Sequence, residues 1–464
     1  MRSEDQLAKA LGKLLRPGQV HHEEPTLSRY GRDALAPGRS FLAYQELATR
    51  PLVVVRPRST EDVVQVVTLA NRERIPIVPY GGGTGLMGGA LTVQPGIVLD
   101  LSEMNRILEI QPGDRTATAQ AGVVLKDLDL ALQEHGLILG HDPWTVPIAT
   151  VGGTISTNSL GYRGARYGSM GDQVLGLEVV LPMGDVLRLR PVPRSSTGPL
   201  LRHLFIGGEG VFGIITAATL RAFPKPEARA LHAFTFPDFA AGFHAIDAMF
   251  HIGLTPALVD YGDEGDDDPT ATLYLGFEGF REEVAAQEGR ALLVCRDHRG
   301  QELPEAVAQE FWTTRHAIAE RFAARRSAGE DLSHWVGAEE TWDYVHVALP
   351  ASRVLAYRDR CRDLLHRHGV RVREYGLWNQ PELFSMSLSR RGTAQEDRAA
   401  LAAAVDAVLM LAQDMAGSME YVHGVGVRLA HLMEREHGQG IDVLRAIKRA
   451  LDPNHILNPG KLGL

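Results

Sequence analysis

Short apolar runs alternate with polar and glycine-rich stretches along the first half of the chain. Residues 52–56 and 75–79 are rich in branched aliphatic side chains, which predicts two short buried strands. Between them, Ser59 precedes apolar residues at helical spacing, which predicts a helix. Residues 96–101 predict another strand, directly after the glycine-rich residues 81–89. Residues 52–101 are therefore predicted to form strands, a helix and a long glycine-rich loop.

The same kind of pattern continues to a pair of prolines near residue 225. It predicts strands at 105–110, 115–121, 174–182, 185–190 and 214–223, and a helix at 124–135. Residues 141–172 are rich in Gly, Ser, Thr and Asn and show little periodicity. Because proline interrupts regular elements, Pro224 and Pro226 mark the first domain boundary.

A strand–helix–strand pattern occurs twice in the second half, at 230–260 and at 342–378. This weak repeat predicts one antiparallel sheet covered by helices. Helices are predicted at 281–293 and 304–323, and residues 398–464 are mostly helical. We expect an α+β protein in four parts: an N-terminal helical segment at 1–44, a first domain at 45–226, a second domain at 227–400 and a C-terminal helical segment at 401–464.

Composition excludes several classes of protein. The chain has 464 residues and a net charge of −9, and its Lys and Arg residues are scattered, so it has no basic face for nucleic acid. Its two cysteines cannot form a disulfide framework or a cysteine-rich metal site, which favours a reducing compartment, the cytoplasm. No run of 18 apolar residues occurs, so no membrane span is expected.

The glycine-rich loop carries the first chemical interpretation. Residues 83–88 satisfy G-x-G-x-x-G, but the glycines and Pro95 that follow forbid the helix that a Rossmann fingerprint requires. Glycines allow a backbone to approach a ligand closely, and successive N–H groups can form a nest for an anion such as a pyrophosphate. A plain connector between two strands is the alternative.

Three stretches then resemble the flavin loops of one superfamily. Residues 79–85, 149–158 and 207–216 are similar, in order and spacing, to the three FAD loops of the vanillyl-alcohol-oxidase/para-cresol-methylhydroxylase (PCMH) flavoproteins. The resemblance covers residues 45–464 and is greatest to the branch of D-lactate dehydrogenase, glycolate oxidase and alkyldihydroxyacetonephosphate synthase. It implies a two-subdomain PCMH-type FAD-binding domain, completed by the extreme C-terminus, and an α+β cap domain over the flavin. Residues 80–91 contain no histidine, so non-covalent FAD is expected.

The resemblance also implies which residues contact the cofactor. They are Pro79, Gly81, Gly82, Gly83, Thr84, Gly85, Leu86, Gly88, Gly89, Pro143, Thr150, Gly152, Gly153, Ser156, Thr157, Asn158, Gly161, Glu209, Gly210, Gly213, Ile215, Asn458 and Lys461.

Two features of the branch are missing. Its hydroxy-acid dehydrogenases carry two metal-binding histidines and a glutamate, and the matching positions here are Leu377, Phe384 and Val422. A bound metal is therefore not expected. Its synthases carry a run of histidines, of which His423 alone is present. Ether-lipid synthesis is accordingly disfavoured.

Candidate catalytic residues follow from what flavin chemistry requires. Oxidation of an alcohol needs a base near the hydroxyl, and His423, followed by glycines, is the first candidate, with Tyr421 beside it. Arg315 resembles the branch's arginine for a substrate carboxylate, and its guanidinium suits that group. The pocket candidates are Arg315, Glu374, Tyr375 and Trp378. For each of these residues a purely structural role is the alternative.

The leading hypothesis is an FAD-dependent dehydrogenase or oxidase. It would oxidise a hydroxylated, anionic small molecule by hydride transfer to flavin N5, without metal. The alternatives are a synthase-like enzyme that forms a flavin–substrate adduct without net oxidation, and a non-catalytic flavin-binding subunit. The electron acceptor and the oligomeric state, a homodimer included, stay open.

Overall fold

A computed structural model describes residues 3–31, 33–35, 39–328 and 339–464. Sixteen helices occur in these ranges: α1 Glu4–Gly12, α2 Glu24–Tyr30, α3 Tyr44–Leu47, α4 Thr60–Glu73, α5 Leu125–Gln133, α6 Val151–Thr157, α7 Gly164–Tyr167, α8 Met170–Gln173, α9 Phe239–His251, α10 Arg281–Asp297, α11 Glu305–Thr314, α12 Ala317–Ser327, α13 Ala351–Arg367, α14 Gln395–Asp414, α15 Met433–His437 and α16 Gly440–Leu451. None of the helices in the described part of the chain has both the length and the apolar character that a membrane crossing requires.

The same ranges contain eighteen strands. They are β1 Val20–His21, β2 Val53–Val55, β3 Ile77–Tyr80, β4 Ile97–Asp100, β5 Ile107–Gln111, β6 Thr116–Gln120, β7 Leu137–Ile138, β8 Val174–Val180, β9 Val186–Arg188, β10 Ile214–Arg221, β11 Phe223–Pro224, β12 Ala228–Phe236, β13 Leu258–Asp263, β14 Ala271–Gly279, β15 Gln301–Glu302, β16 Glu340–Ala348, β17 Arg371–Trp378 and β18 Leu383–Arg391.

Two large sheets and a two-stranded one, β11-β7, build the first half of the protein. In one, β2, β4 and β3 are parallel, and β1 pairs with β2 at the edge. The other is antiparallel, in the order β5-β6-β10-β8-β9. No helix separates β3 from β4, which confirms that the glycine-rich loop is not a Rossmann turn. The C-terminal segment pairs with β3, because Ile77 N–H donates to Ile456 O and Asn458 N–H donates to Ile77 O.

One seven-stranded antiparallel sheet, the cap sheet, forms the second half. Its order is β15-β12-β14-β13-β17-β18-β16, so the two predicted repeats meet where β13 pairs with β17. This confirms the expected α+β fold with one antiparallel sheet and covering helices. The four-part division of the chain stays a prediction.

The two faces of the cap sheet differ in chemistry. Tyr261, Leu377, Phe384 and Val347 lie side by side on one face, are fully buried, and are covered by α9, α13 and α14. The neighbouring residues along the same strands point the other way, because side chains alternate along a strand. That second face carries Asp260, Trp378, Gly376, Ser385 and His346, and it is turned toward the first half of the protein.

Four details differ from the sequence-based expectations. Strands β14 and β18 were not predicted, although both alternate apolar and small or polar residues. Residues 304–323 form two helices, α11 and α12, with Arg315 at the break. Residues 141–172 contain the short helices α6, α7 and α8 despite their weak periodicity.

A buried ion cluster ties three segments together. Asp343 of β16 accepts hydrogen bonds from Arg39, Ser40 and Arg428, and Asp343, Arg39 and Arg428 are at most 3% exposed. Arg39 also donates to the carbonyl of Leu86 in the glycine-rich loop, at 2.6 Å. The cluster therefore fixes the cap sheet against that loop.

Candidate active site

A cavity lies between the cap sheet and the glycine-rich loops. The loop after β3, the start of α6 and the loop before β10 provide most of its wall. All three stretches that resemble flavin loops thus meet around one cavity.

The first two loops pack so closely that there is no room for side chains between them. A Cβ added to Gly81 would lie 2.5 Å from Thr150 Oγ1, and one added to Gly82 would lie 2.4 Å from the carbonyl oxygen of Ile148. No side chain fits at either position. Glycine is therefore needed here for close approach of one loop to the next, as the sequence indicated.

Alanine at position 82 is expected to weaken FAD binding at least about tenfold, or about 1.4 kcal/mol. The added methyl would push against the backbone of Ile148 and separate the two loops. Titration of the apoprotein with FAD measures the effect. The matched control is Gly289→Ala on α10, where a Cβ meets nothing within 4 Å. Equal FAD affinities in the two variants would contradict this account of the loop.

Most of the predicted cofactor residues line the cavity. They are Pro79, Gly81, Gly82, Gly83, Thr84, Gly85, Leu86, Gly89, Pro143, Thr150, Gly152, Gly153, Ser156, Thr157, Glu209, Gly210, Gly213 and Ile215. At the start of α6, the Thr150 hydroxyl accepts the Gly153 N–H and caps the helix. Direct FAD contacts stay a prediction for each of these residues.

Three of the predicted cofactor residues, Glu209, Asn458 and Lys461, connect separate segments of the chain through hydrogen bonds. The Glu209 carboxylate accepts the N–H groups of Val425 and Gly426, at 2.6 and 2.8 Å. Asn458 donates to the carbonyls of Gly89 and Glu209. Burial raises the pKa of Glu209 to about 7. The Glu209 side chain therefore holds the loop after His423 against the flavin loops.

Lys461 is buried in the same way. Its ammonium group donates to the carbonyls of Leu91 and Pro459, and burial lowers the pKa of Lys461 to about 8. Neither Lys461 nor Asn458 lines the cavity. The hydrogen bonds of the two residues fix the C-terminal segment, and a direct FAD contact stays a prediction for both.

Gly88, Asn158 and Gly161 also lie behind the cavity wall. Asn158 ends α6 with a φ of 49°, and its side-chain amide oxygen Oδ1 accepts the Gly171 N–H. A Cβ at Gly161 would meet the backbone of Asp142 at 2.5 Å, and one at Gly88 would meet Val427 at 2.6 Å. The structure gives all three residues packing roles.

The cap side of the cavity is formed by Trp378, His346, Val422 and His423. Trp378 stacks on Tyr162, with 5.5 Å between ring centroids. The rings of His346 and His423 meet edge to face, 4.5 Å apart. The first candidate base thus reaches the same cavity as the glycine loops.

Glu420 fixes the position of His423. One carboxylate oxygen of Glu420 accepts the backbone N–H groups of Tyr421, Val422 and His423, and the other lies 3.8 Å from His423 Nδ1. Burial opposes ionisation of Glu420, but the bond to His423 and the histidine charges outweigh it and lower the Glu420 pKa. Burial lowers the pKa of His346 to about 3, so this ring is neutral at pH 7.

His346 and Glu420 were missed by the sequence reasoning. His346 alternates with Val345 and Val347 along a predicted strand, and that alternation was the available indication that it faces a cavity. Among the described residues, the ligand atoms of His346, Glu420 and His423 lie within 4.8 Å of one another, which is a spacing that can hold a metal ion.

The other predicted pocket residues have mixed outcomes. Tyr375 lies on the helix-covered face of the cap sheet, 1% exposed and packed against Phe239 and Phe384, so its side chain points away from the cavity. Glu374 lies on the cavity-facing side of β17 but outside the cavity wall. The Tyr421 hydroxyl is buried, and the Tyr421 ring is 5.7 Å from that of His346.

Arg315 already has protein partners. Its Nε lies 3.0 Å from Asp142 Oδ2, and its guanidinium stacks 3.8 Å from the centroid of the Trp312 ring. Arg315 does not line the cavity. To bind a substrate carboxylate, Arg315 would have to break its ion pair with Asp142. The substrate role of Arg315 therefore stays a prediction.

Comparisons with known proteins agree with the geometry. Residues 51–190 match the family model of the FAD binding domain, and residues 225–462 match that of the FAD linked oxidases, C-terminal domain. The glycolate oxidase subunit GlcD of Bacillus subtilis (strain 168) is 31% identical over 91% of each chain. A D-2-hydroxyglutarate dehydrogenase of Xanthomonas citri pv. viticola is 30% identical over 95% of this chain and 93% of its own.

Solved structures show the same fold. One of alkyldihydroxyacetonephosphate synthase aligns with a TM-score of 0.79 and 20% identity over 98% of this chain and 86% of its own. One of p-cresol methylhydroxylase aligns with a TM-score of 0.77 and 20% identity over 99% of this chain and 96% of its own. At this identity the likeness concerns the fold alone.

Proposed function

Because the chain belongs to the FAD-linked oxidase family and binds FAD, we propose that it oxidises a small 2-hydroxy acid. The hydroxy acids named for its relatives, glycolate and D-2-hydroxyglutarate, support this substrate class. One structural observation carries the proposal: His423 of the C-terminal segment and the three glycine-rich loops line the same cavity. A proton acceptor therefore faces the place where the flavin fits.

Bound FAD supplies the hydride acceptor for this reaction. The chain's own residues do the rest. Trp378 and Val422 cover the cap side of the cavity and limit the access of water. His423 accepts the proton of the substrate hydroxyl, and Glu420 positions its ring through the backbone of residues 421–423. The close packing of Gly81 and Gly82 on the second loop shapes the site for the diphosphate.

An anaerobic mixing experiment tests the proposal. The FAD-loaded protein is mixed with a panel of 2-hydroxy acids, and flavin absorbance near 450 nm is followed without any acceptor. Loss of absorbance with at least one hydroxy acid, and none with the matching acid that lacks the hydroxyl, is expected. Product formation with the flavin still oxidised would instead indicate adduct chemistry without net oxidation. A flavin that no hydroxy acid reduces would contradict the proposal.

The proposal includes non-covalent FAD and a cytoplasmic location. Residues 80–91 contain no histidine that could attach the flavin, and both cysteines, Cys295 and Cys361, are buried and unpaired. Acid precipitation should release the yellow cofactor into the supernatant.

A further inference from the structure

Small residues form a row across the cavity-facing side of the cap sheet. Gly262 of β13 pairs with Gly376 of β17, Gly376 pairs with Ser385 of β18, and Ser385 pairs with His346 of β16. His346 lines the cavity, so this glycine row begins at the cavity wall and continues along the sheet. Gly262 is only half-buried, although the face is turned toward the first half of the protein. The far end of the row is therefore not fully covered.

Two carboxylates flank the glycine row at this far end. Glu374 Oε1 would lie 3.2 Å from a Cβ added to Gly262 and 3.3 Å from one added to Gly376, so it lies over both glycines. Asp260 is two residues before Gly262 on β13, hence on the same face, and it pairs with Trp378, which lines the cavity. Glu374 is exposed and Asp260 is half-buried, so a ligand that extends past Trp378 can reach both carboxylates.

No cation among the described residues neutralises Asp260 or Glu374. Arg373 is next to Glu374 in sequence, but its guanidinium bonds to Glu340 and Ser389 instead. Burial and the charge of Glu374 raise the pKa of Asp260 to about 7. A second carboxylate on a ligand would add a third negative charge at this place and would be repelled.

The same part of the face offers hydrogen-bonding groups that suit hydroxyls. A carboxylate accepts hydroxyl hydrogens, and the hydroxyl of Ser385 can both donate and accept. His346 is 9% exposed, and its buried Nδ1 has no hydrogen-bond partner among the described residues. An unpaired buried nitrogen costs stability and indicates a missing partner, which a ligand hydroxyl can supply. The ring of Trp378 in the cavity wall provides an apolar surface for a carbon chain.

We propose that Asp260, Glu374 and the glycine row bind the tail of a sugar acid, which is a 2-hydroxy acid with one carboxylate and several further hydroxyl groups. The two carboxylates accept hydrogen bonds from the tail hydroxyls, His346 bonds to the hydroxyl nearest the cavity, and Trp378 packs against the carbon chain. A tail with a second carboxylate is rejected by charge repulsion. The oxidation of such an acid rests on the proposed function, whereas the preference of these residues for hydroxyl groups does not.

Three substrates with the same configuration at C2 and different tails test this preference. Gluconate has a polyhydroxylated tail, 2-hydroxyhexanoate has an apolar tail, and 2-hydroxyglutarate has a tail with a second carboxylate. The FAD-loaded protein is mixed with each under anaerobic conditions, and the second-order rate constant of flavin reduction is measured. Gluconate should react at least about tenfold faster than 2-hydroxyhexanoate, because hydrogen bonds to charged groups contribute this much. It should react at least about 100-fold faster than 2-hydroxyglutarate, because the second carboxylate meets like charges.

Asp260→Asn and Glu374→Gln each remove one charge and keep the size of the side chain. In each variant the ratio of the rate constants for gluconate and 2-hydroxyglutarate should fall at least about tenfold. Both rate constants are measured on one preparation, so the ratio does not depend on how much of the protein is folded. Asp359→Asn on α13 is the matched control, since Asp359 is 61% exposed, and its ratio should equal that of the unmodified protein. An unchanged ratio in both Asp260→Asn and Glu374→Gln would overturn the proposal.

Binding without reaction separates this inference from the proposed function. 2-Deoxygluconate and glutarate lack the C2 hydroxyl, and calorimetry with each should show at least about tenfold tighter binding of 2-deoxygluconate. If this holds while no 2-hydroxy acid reduces the flavin, the binding site stands and the proposed oxidation is wrong. If lactate reduces the flavin but gluconate reacts no faster than 2-hydroxyhexanoate, the proposed oxidation stands and this inference is wrong. A faster reaction of 6-amino-2-hydroxyhexanoate than of gluconate would also overturn it, because the carboxylates would then bind a cation.

Discussion

Glutamine in place of His423 is expected to slow flavin reduction by the substrate about 10²–10⁴-fold, the usual contribution of a general base. The ring lines the cavity, and Glu420 and the backbone of residues 421–423 hold it there. Glutamine is polar and of similar size, so the cavity should keep its shape. Stopped-flow measurement of flavin bleaching under anaerobic conditions gives the rate directly.

Two further measurements make this result specific. The FAD affinity of His423→Gln should be unchanged within about threefold, because the glycine-rich loops hold the dinucleotide. His431→Gln, an exposed histidine in the same segment, should reduce its flavin at the normal rate. A reduction of less than about tenfold in the rate of flavin reduction by His423→Gln would exclude this residue from proton transfer.

The flavin loops could be predicted because their chemistry is local. Close backbone approach requires glycine at positions 81 and 82, and the sequence shows this directly. The cap sheet could be predicted in outline for a similar reason, since the repeat of strand, helix and strand sets its two halves. The alternation of Phe384, Met386 and Leu388 with serines also indicates strand β18, but this strand was not predicted.

Contacts between distant segments could not be predicted in this way. His346 and Glu420 lie far apart in sequence, and the backbone bridge between Ala348 at the end of β16 and Ser418 brings them together. Arg315 was predicted to bind the substrate, but its guanidinium forms an ion pair with Asp142. Asp142 lies in a segment without clear periodicity, so the sequence did not indicate this contact. Glu374 and Tyr375 were both predicted to line the pocket, but as neighbours on β17 they point to opposite faces of the cap sheet, and the sequence does not show which face meets the cavity.

Asp343 illustrates a long-range contact with a large energetic consequence. It is 0% exposed and balances the charges of Arg39 and Arg428, which come from opposite ends of the chain. Burial opposes its ionisation, but the two guanidinium groups and the Ser40 hydroxyl outweigh burial and hold the pKa of Asp343 well below its usual range. Arg39 also donates a hydrogen bond to the carbonyl of Leu86, so the cluster holds the first flavin loop in place as well.

Asparagine at position 343 should destabilise the protein by about 3–5 kcal/mol, because it leaves two buried guanidinium groups without a counter-charge. Chemical denaturation at pH 7 measures the loss, with the 61% exposed Asp359→Asn as a control that should change stability by less than about 0.5 kcal/mol. The folded pKa of Asp343 is lowered, so its contribution is complete above the unfolded value of about 3.9 and declines as the pH falls below it. The difference in free energy of unfolding between the unmodified protein and Asp343→Asn should therefore become smaller below about pH 4. If this difference in free energy of unfolding stays constant from pH 7 to pH 3, Asp343 stabilises the protein through its shape and not through its charge.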